Sequence, residues 1–216
     1  MKIFLDTIGC RLNQSEIETM ARQFRAAGHE IVASAQGADL AVVNTCAVTS
    51  DAAADSRQII RHLARLGVPQ IVPTGCWTTL QMTEAASLPN VLKVVSNDQK
   101  ENLVSEFRIQ NSEFDLEPLA REPLPGLHRR TRAFIKAQDG CDNACAFCVT
   151  TIARGAGRSR PLADVIQDIQ FALAGGTKEI VLTGVHLGSW GQEWGRHLRE
   201  LVRAILEQTE TPRLRL

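Results

Sequence analysis

Apolar and polar positions along the first half of the chain predict strands and helices in turn. Residues 2–6 favour a strand, and apolar residues at helical spacing predict a helix over roughly 14–27, with Ser15-x-x-Glu18 as its capping box. The continuous apolar run Leu40–Val43 is typical of a parallel strand buried on both faces. Further strands are predicted at 29–33, 40–44, from 71 and from 91 to 95, and further helices at about 50–66 and 99–107. This alternation indicates an open parallel α/β sheet.

A polar stretch rich in proline and glycine separates this half from a second βα pattern. Pro118, Pro123, Pro125 and Gly126 fall in it. It predicts domains over 1–110 and 131–216, joined by a linker at 111–130. After the linker, strands are predicted at 132–138, at 179–183 and from 213, and helices at about 162–174 and 194–208. That order is the start of an α/β barrel, so we expect an α/β protein whose second domain is a partial TIM barrel.

Composition narrows the function only slightly. Apolar residues make up 44% of the 216, which is enough for a core, and 24 basic residues balance 24 acidic ones. The net charge therefore gives no indication of a nucleic-acid partner. No segment resembles a signal peptide or a membrane span, so we expect no membrane association and a cytoplasmic location. The glycine-rich motifs of dinucleotide and P-loop nucleotide sites are absent.

Three cysteines stand close together in the run Cys141-Asp-Asn-Ala-Cys145-Ala-Phe-Cys148. Thiolates suit iron–sulfur clusters or zinc, but structural zinc normally takes four protein ligands. Three cysteines with no obvious fourth favour a [4Fe–4S] cluster that keeps one iron open. The run resembles the signature of radical S-adenosylmethionine enzymes. That resemblance implies that Phe147 backs the adenine of the cofactor and that Thr183 and Gly184 contact its methionine part.

The other three cysteines are far apart in sequence. Cys10, Cys46 and Cys76 each follow a predicted parallel strand. Because the carboxyl ends of parallel strands share one edge of a sheet, we expect the three thiols to converge into a second three-cysteine site. Independent buried thiols are the alternative. Disulfides are not expected in a cytosolic chain of this size.

Residues 129–160 carry a local excess of positive charge. Arg154, Arg158 and Arg160 are candidates for phosphate contacts to a nucleic acid. Contacts to the carboxylate of a methionine moiety are a second interpretation, and a solvated basic face is a third.

The two cysteine sets, in this order, resemble the methylthiotransferase family of radical S-adenosylmethionine enzymes. Within the family, the run Asn44–Thr49 and the later Ser56–Gln58 are most similar to the branch that acts on N6-threonylcarbamoyladenosine in tRNA. The isopentenyladenosine branch usually has arginine at the position of Thr49, and the ribosomal-protein aspartate branch usually has glycine at the position of Ala47. The stretches that match the family are Ile8–Asn13, Val43–Thr49, Gly75-Cys76, Lys136–Cys148 and Ala153–Arg160.

The resemblance implies two [4Fe–4S] clusters and S-adenosyl-L-methionine as cofactors. Cys141, Cys145 and Cys148 would hold the cluster that reduces S-adenosylmethionine, and the resulting 5′-deoxyadenosyl radical would abstract hydrogen from carbon 2 of the adenine. Cys10, Cys46 and Cys76 would hold an auxiliary cluster that supplies sulfur. The implied partners are tRNA and an electron donor such as flavodoxin or ferredoxin.

The chain stops at Arg213-Leu-Arg-Leu216, inside the third predicted barrel strand. Members of the family continue through a longer barrel and usually a C-terminal RNA-binding TRAM domain, so we expect this chain to be a fragment. A non-catalytic iron–sulfur or RNA-binding fragment is therefore the alternative to the enzyme. A zinc protein is a third possibility.

Overall fold

The computed structural model describes residues 1–107 and 131–216. Four parallel strands form the sheet of the N-terminal unit. The predicted linker at 111–130 lies outside the described residues. The strands run in the order β2-β1-β3-β4. They are β1 (Lys2–Thr7), β2 (Glu30–Val32), β3 (Leu40–Thr45) and β4 (Gln70–Gly75).

The central position of β3 in the sheet explains its apolar sequence. All six of its residues are buried, because β1 and β4 flank it and helices cover both faces of the sheet. Leu40 and Val42 pack into the core on one face, and Ala41 and Val43 pack into the core on the other. The prediction of an open parallel α/β sheet is confirmed.

The helices of this unit differ from the predicted ones at several ends. They are α1 (Arg11–Ala26), α2 (Ser50–Arg65), α3 (Cys76–Leu80) and α4 (Met82–Ala86). The capping-box prediction is wrong, because α1 begins at Arg11 and Ser15 is buried inside it. The Gln14 N–H already donates to the Cys10 carbonyl at 3.1 Å, so Cys10 occupies the cap position. Helix α2 begins where predicted, and the Thr49 hydroxyl accepts from the Ala52 N–H at 3.1 Å.

The segment after α4 is less regular than predicted. The strand expected at 91–95 is reduced to two isolated bridges, Ile71 with Val91 and Thr74 with Val95. The helix expected at 99–107 is a pair of 3-10 turns, Lys100–Asn102 and Val104–Phe107. Both segments still pack on the sheet, since Val95, Leu103 and Val104 belong to the core on the α1 face.

A second unit follows in residues 131–216. Its parallel sheet consists of β5 (Arg132–Lys136), β8 (Glu179–Thr183) and β9 (Leu214–Arg215), in that order. A helix lies between successive strands, as expected for the start of a β/α barrel. A short antiparallel pair of strands, β6 (Gln138–Asp139) and β7 (Arg158–Ser159), was not predicted. The elements are β5 (Arg132–Lys136), β6 (Gln138–Asp139), α5 (Val149–Arg154), β7 (Arg158–Ser159), α6 (Leu162–Ala174), β8 (Glu179–Thr183), α7 (Leu198–Gln208) and β9 (Leu214–Arg215).

Hydropathy along the helices bears on membrane association. Within the described ranges, no helix has the length and apolar character needed to cross a bilayer.

Candidate metal centres

The three N-terminal cysteines follow three neighbouring strands of the first sheet. Cys10 comes three residues after β1, Cys46 directly after β3, and Cys76 directly after β4. These strands are parallel neighbours, so all three cysteines lie at the carboxyl edge of the sheet, the edge formed by the carboxyl ends of its strands. Cys46 and Cys76 are buried and Cys10 is exposed.

Glycines let the cysteine loops approach one another. Gly9 has a φ of +108°, and a Cβ at this position would lie 2.5 Å from the Cys46 Cβ and 2.6 Å from its Sγ. A Cβ at Gly75, whose φ is +99°, would lie 2.6 Å from the Asn44 Oδ1. The backbone before Cys10 therefore lies against Cys46, and the backbone before Cys76 lies against the end of β3.

The thiols also interact electrostatically. Burial raises the pKa of the Cys46 thiol, and the nearby Cys10 and Cys76 raise it further. Three thiolates gathered at one edge repel one another, whereas a bound cationic centre offsets that repulsion and favours loss of their protons. The donor set is thus suited to an iron–sulfur group.

Two asparagines that the motif analysis did not assign a role connect these loops. The Asn13 side chain donates to the carbonyls of Ile8 at 2.8 Å and Thr45 at 3.0 Å. The Asn44 side chain donates to the Asn13 carbonyl at 3.0 Å. Both asparagines are fully buried, so these bonds fix the Cys10 loop against the end of β3. Their positions three residues after Cys10 and two before Cys46 were the available sequence signal.

The second cysteine set lies in the loop between β6 and α5. Cys141 is buried, Cys145 is exposed and Cys148 is intermediate. The Cys148 N–H donates to the Cys145 carbonyl at 3.2 Å, and the Cys141 N–H donates to the Gly155 carbonyl at 3.0 Å. The side chain of Thr151, followed by the backbone N–H groups of Thr151 and Thr150, lowers the pKa of Cys148. This loop therefore favours the thiolate form at Cys148, as a metal ligand requires.

Neither cysteine set is arranged around a single ion. In the parts of the chain that the structure describes, no three His, Cys, Asp or Glu side chains converge closely enough to hold one metal ion. A [4Fe–4S] cluster spreads its ligands farther apart, because each thiolate binds a different iron.

The predicted cofactor contacts lie in different surroundings. Phe147 is 94% exposed, next to Cys148 in the cysteine loop. Thr183 is buried at the end of β8, and its hydroxyl donates to the Ile135 carbonyl at 3.3 Å. Gly184 lies beside Gln138, whose Oε1 would be 2.9 Å from a Cβ at that glycine. These three residues remain predictions as cofactor contacts.

Gln138 is a residue whose role the sequence did not show. It is fully buried, its Oε1 accepts from the His186 N–H at 2.9 Å, and its Nε2 donates to the Gly140 carbonyl at 2.7 Å. It thereby ties the start of the cysteine loop to the segment after β8.

The structure corrects the assignment of Arg154 as an RNA contact. Its guanidinium is buried and lies 2.8 Å from the Asp139 carboxylate, so it stabilises the cysteine loop from inside. Arg160 is also engaged, with Asp168 at 2.6 Å and the Lys136 carbonyl at 3.0 Å. Arg158 is exposed on β7 and stays a prediction as a phosphate contact.

Comparison with known proteins agrees with these features. Residues 2–96 match the family described as Uncharacterized protein family UPF0004. The chain is 34% identical to the threonylcarbamoyladenosine tRNA methylthiotransferase MtaB of Thermotoga maritima, over 98% of this chain and 50% of that protein. It is 35% identical to the Bacillus subtilis protein of the same name, over 87% of this chain and 44% of that protein. The chain thus spans about half the length of the curated relatives it matches.

A solved structure shares the fold. The radical S-adenosylmethionine methyltransferase TsrM from Kitasatospora setae, determined with tryptophan substrate and a S-adenosylmethionine analogue, matches with a TM-score of 0.65 at 17% identity. The match covers 98% of this chain and 52% of that one. Residues 2–96 therefore match the UPF0004 family model, and the chain is similar to methylthiotransferases over about half of their length.

Proposed function

We propose that this chain carries the two cluster-binding units of a radical S-adenosylmethionine tRNA methylthiotransferase. The observation that carries the proposal is the placement of the six cysteines. Three lie together at the carboxyl edge of the first sheet, and three lie in one loop after β6 of the second unit. Methylthiotransferases that match 87–98% of this chain support the same function.

Each unit has its own task in this proposal. Cys141, Cys145 and Cys148 hold the cluster that binds S-adenosylmethionine, with Phe147, Thr183 and Gly184 as further cofactor contacts. Cys10, Cys46 and Cys76 hold the auxiliary cluster. When bound, the two clusters and S-adenosylmethionine supply the radical chemistry and the sulfur that convert a C–H bond of the substrate into a C–S–CH₃ group. The protein holds the cysteines in place and buries Cys46, Cys76 and Cys141 away from solvent.

The substrate we propose is N6-threonylcarbamoyladenosine beside the anticodon of tRNA, methylthiolated at C2. Ala47 and Thr49, together with relatives named for this substrate, support it. Isopentenyladenosine in tRNA and a ribosomal-protein aspartate are the alternatives. An electron donor such as flavodoxin or ferredoxin, and a cytoplasmic location, complete the proposal.

Metal analysis after anaerobic reconstitution tests the cluster assignment. The wild type should hold about eight iron and about eight sulfide per chain, falling to about four of each in the Cys141/Cys145/Cys148 triple alanine variant. A wild type with about four iron, falling to none in the variant, would remove the auxiliary cluster and with it the methylthiotransferase assignment.

A product assay tests the reaction. The reconstituted chain, with reductant and S-adenosylmethionine, is given tRNA carrying either threonylcarbamoyladenosine or isopentenyladenosine, and nucleosides are analysed by mass spectrometry. Methylthio product on the first tRNA alone supports the proposed substrate. Product on the second tRNA alone would reassign the branch.

A non-catalytic iron–sulfur or RNA-binding fragment is the second candidate. The observation that favours it is that the chain spans only about half of its relatives. Full cluster loading, without 5′-deoxyadenosine and without methylthio product, would select this candidate for the chain as given. A fusion that restores the remaining half from the Bacillus subtilis relative then shows whether the two units work in the longer protein.

A further inference from the structure

Asn97 is a polar residue close to Cys76 that the proposed function has not used. Its side-chain amide donates a hydrogen bond to the Cys76 Sγ at 3.7 Å, and the residue is only 8% exposed. It lies two residues after Val95, which bridges β4 at Thr74. Asn97 therefore reaches the carboxyl edge of the sheet in the same way as the cysteines do.

The position of Asn97 is fixed relative to Cys76 by a second set of bonds. The Asn97 backbone N–H donates to the Thr79 hydroxyl at 2.9 Å. That hydroxyl donates to the carbonyl of Gly75, the residue before Cys76, at 2.8 Å. The amide group thus faces the sulfur from a backbone that is itself hydrogen-bonded around Cys76.

Lys100 anchors the other end of this short segment. Its ammonium lies 2.8 Å from the Glu16 carboxylate and 3.1 Å from the Asn44 Oδ1, and both charged side chains are about 95% buried. Asn44 lies two residues before Cys46, and Glu16 lies on α1, which starts directly after Cys10. Residues 97–100 are therefore held to the segments that carry all three cysteines.

An N–H donor at sulfur has a defined effect on an iron–sulfur group. Reduction adds negative charge that spreads onto the ligand sulfurs, and the positive end of the N–H dipole stabilises that charge. We propose that Asn97 is a positioning residue of the auxiliary site, which donates to the Cys76 thiolate and raises the reduction potential of the cluster bound there. This inference rests on the proposed function, because it requires a cluster on Cys10, Cys46 and Cys76.

The test measures the potential of the auxiliary cluster in isolation. The full chain with Cys141, Cys145 and Cys148 replaced by alanine is reconstituted, so that only the N-terminal site is loaded, and is titrated with monitoring by electron paramagnetic resonance. Asn97→Leu removes the donor at similar size, and Asn97→Asp replaces it with an acceptor of the same shape. Asn102→Leu and Asn102→Asp make the same changes at an exposed residue of the following 3-10 turn.

The expected result is a lower potential in both Asn97 variants. At a fixed ambient potential, the ratio of reduced to oxidised cluster should fall about tenfold in Asn97→Leu, which is about 59 mV for a one-electron couple. It should fall further in Asn97→Asp, because a carboxylate repels the thiolate. The Asn102 variants should match the reference protein.

Unchanged potentials in fully loaded Asn97 variants would overturn the inference and leave the proposed function intact. If both Asn97 variants lose iron while their unfolding free energy stays at the reference value, a role in holding Cys76 is supported. Loss of iron together with a lower unfolding free energy overturns the inference, because Asn97 is then only structural. A reference protein with no iron in the N-terminal site refutes the proposed function itself.

Discussion

At the scale of single residues, the N-terminal site depends on a missing side chain as much as on its cysteines. Gly9 has no Cβ, and this is what allows the backbone before Cys10 to lie against the Cys46 side chain. Its positive φ also lets the chain turn from β1 directly into α1, with Cys10 at the cap. One substitution at this position should therefore disturb two cysteines.

Gly9→Ala tests that dependence, with Gly37→Ala as its control. Gly37 also has a positive φ, +78°, but a Cβ there would meet nothing within 4 Å. Alanine strains the backbone at both positions, but only the Gly9→Ala methyl group clashes with Cys46. We therefore expect Gly9→Ala to be roughly 1–3 kcal/mol less stable than the control. It should also lose iron from the N-terminal site in metal analysis, whereas Gly37→Ala should keep it. Equal stability and iron content in the two variants would contradict the close approach.

Asp6 near the end of β1 gives a prediction about pH. Burial raises the pKa of its carboxyl above the ordinary 3.8. The folded protein therefore binds this proton more tightly than the unfolded chain does. The stability that Asp6 contributes is present below pH 3.8 and is lost as the pH rises through the raised pKa.

Asp6→Asn removes this titration and keeps an oxygen that can accept from the Thr7 N–H. The variant should be more stable than the wild type at pH 7, by about 1.4 kcal/mol for each unit by which the pKa is raised. Chemical denaturation at several pH values checks this, and the advantage should shrink toward low pH. A difference that does not vary with pH would show that Asp6 titrates alike in both states.

At the scale of elements, the antiparallel pairing of β6 with β7 decides which arginine near the cysteine loop is buried and which is exposed. Asp139 on β6 lies opposite Arg158 on β7 in the strand register. The Asp139 carboxylate forms an ion pair with the buried Arg154 guanidinium. Arg154 thus fixes the end of α5 against the start of the cysteine loop. Arg158 is exposed on β7, where solvent or a ligand can reach it.

Arg154→Leu and Arg158→Ala should therefore affect different properties, stability in the first case and tRNA binding in the second. Removing Arg154 leaves the buried Asp139 carboxylate without its 2.8 Å ion pair, which should cost about 3 kcal/mol in unfolding free energy. Arg158→Ala should change stability by less than about 0.5 kcal/mol. It should weaken tRNA binding and reduce the salt slope of log K by about 1. Denaturation and binding titrations at several salt concentrations measure both effects, and a stable Arg154→Leu would contradict the buried ion pair.

At the scale of the whole molecule, two α/β units each present three cysteines after strand ends. The proposed function gives the units separate tasks, since Cys141, Cys145 and Cys148 would hold the cluster for S-adenosylmethionine cleavage and Cys10, Cys46 and Cys76 would hold the cluster for sulfur supply. If the tasks are separate, a substitution in one cysteine set should abolish one activity and leave the other intact. A chain whose cysteines all served one centre would instead lose every activity with any one of them.

Cys148→Ala and Cys46→Ala test this division of labour. Cys148→Ala should abolish formation of 5′-deoxyadenosine from S-adenosylmethionine. Cys46→Ala should still form 5′-deoxyadenosine but should make no methylthio nucleoside. Both products are measured by liquid chromatography and mass spectrometry, with circular dichroism as the folding control. Loss of cleavage in both folded variants would contradict the assignment.

Periodicity in the sequence determined the parallel α/β class and most of the long elements, because burial on both faces leaves a continuous apolar run such as Leu40–Val43. The cysteine spacing, together with the rule that parallel strands share a carboxyl edge, also predicted that Cys10, Cys46 and Cys76 would follow strands at one edge, as they do in the structure. Helix α6 over Leu162–Ala174 and strand β8 over Glu179–Thr183 also lie where the pattern predicted them.

Only the tertiary structure decided which polar residues hold those sites. The fold places Glu16, Asn44 and Lys100 together, and no local pattern encodes contacts between residues up to 84 positions apart. Arg154 and Arg158 are indistinguishable as sequence letters, and only the β6–β7 pairing buries one and exposes the other. The physical reason is that periodicity reports which face of an element is apolar, whereas long-range packing decides which partner each polar side chain meets.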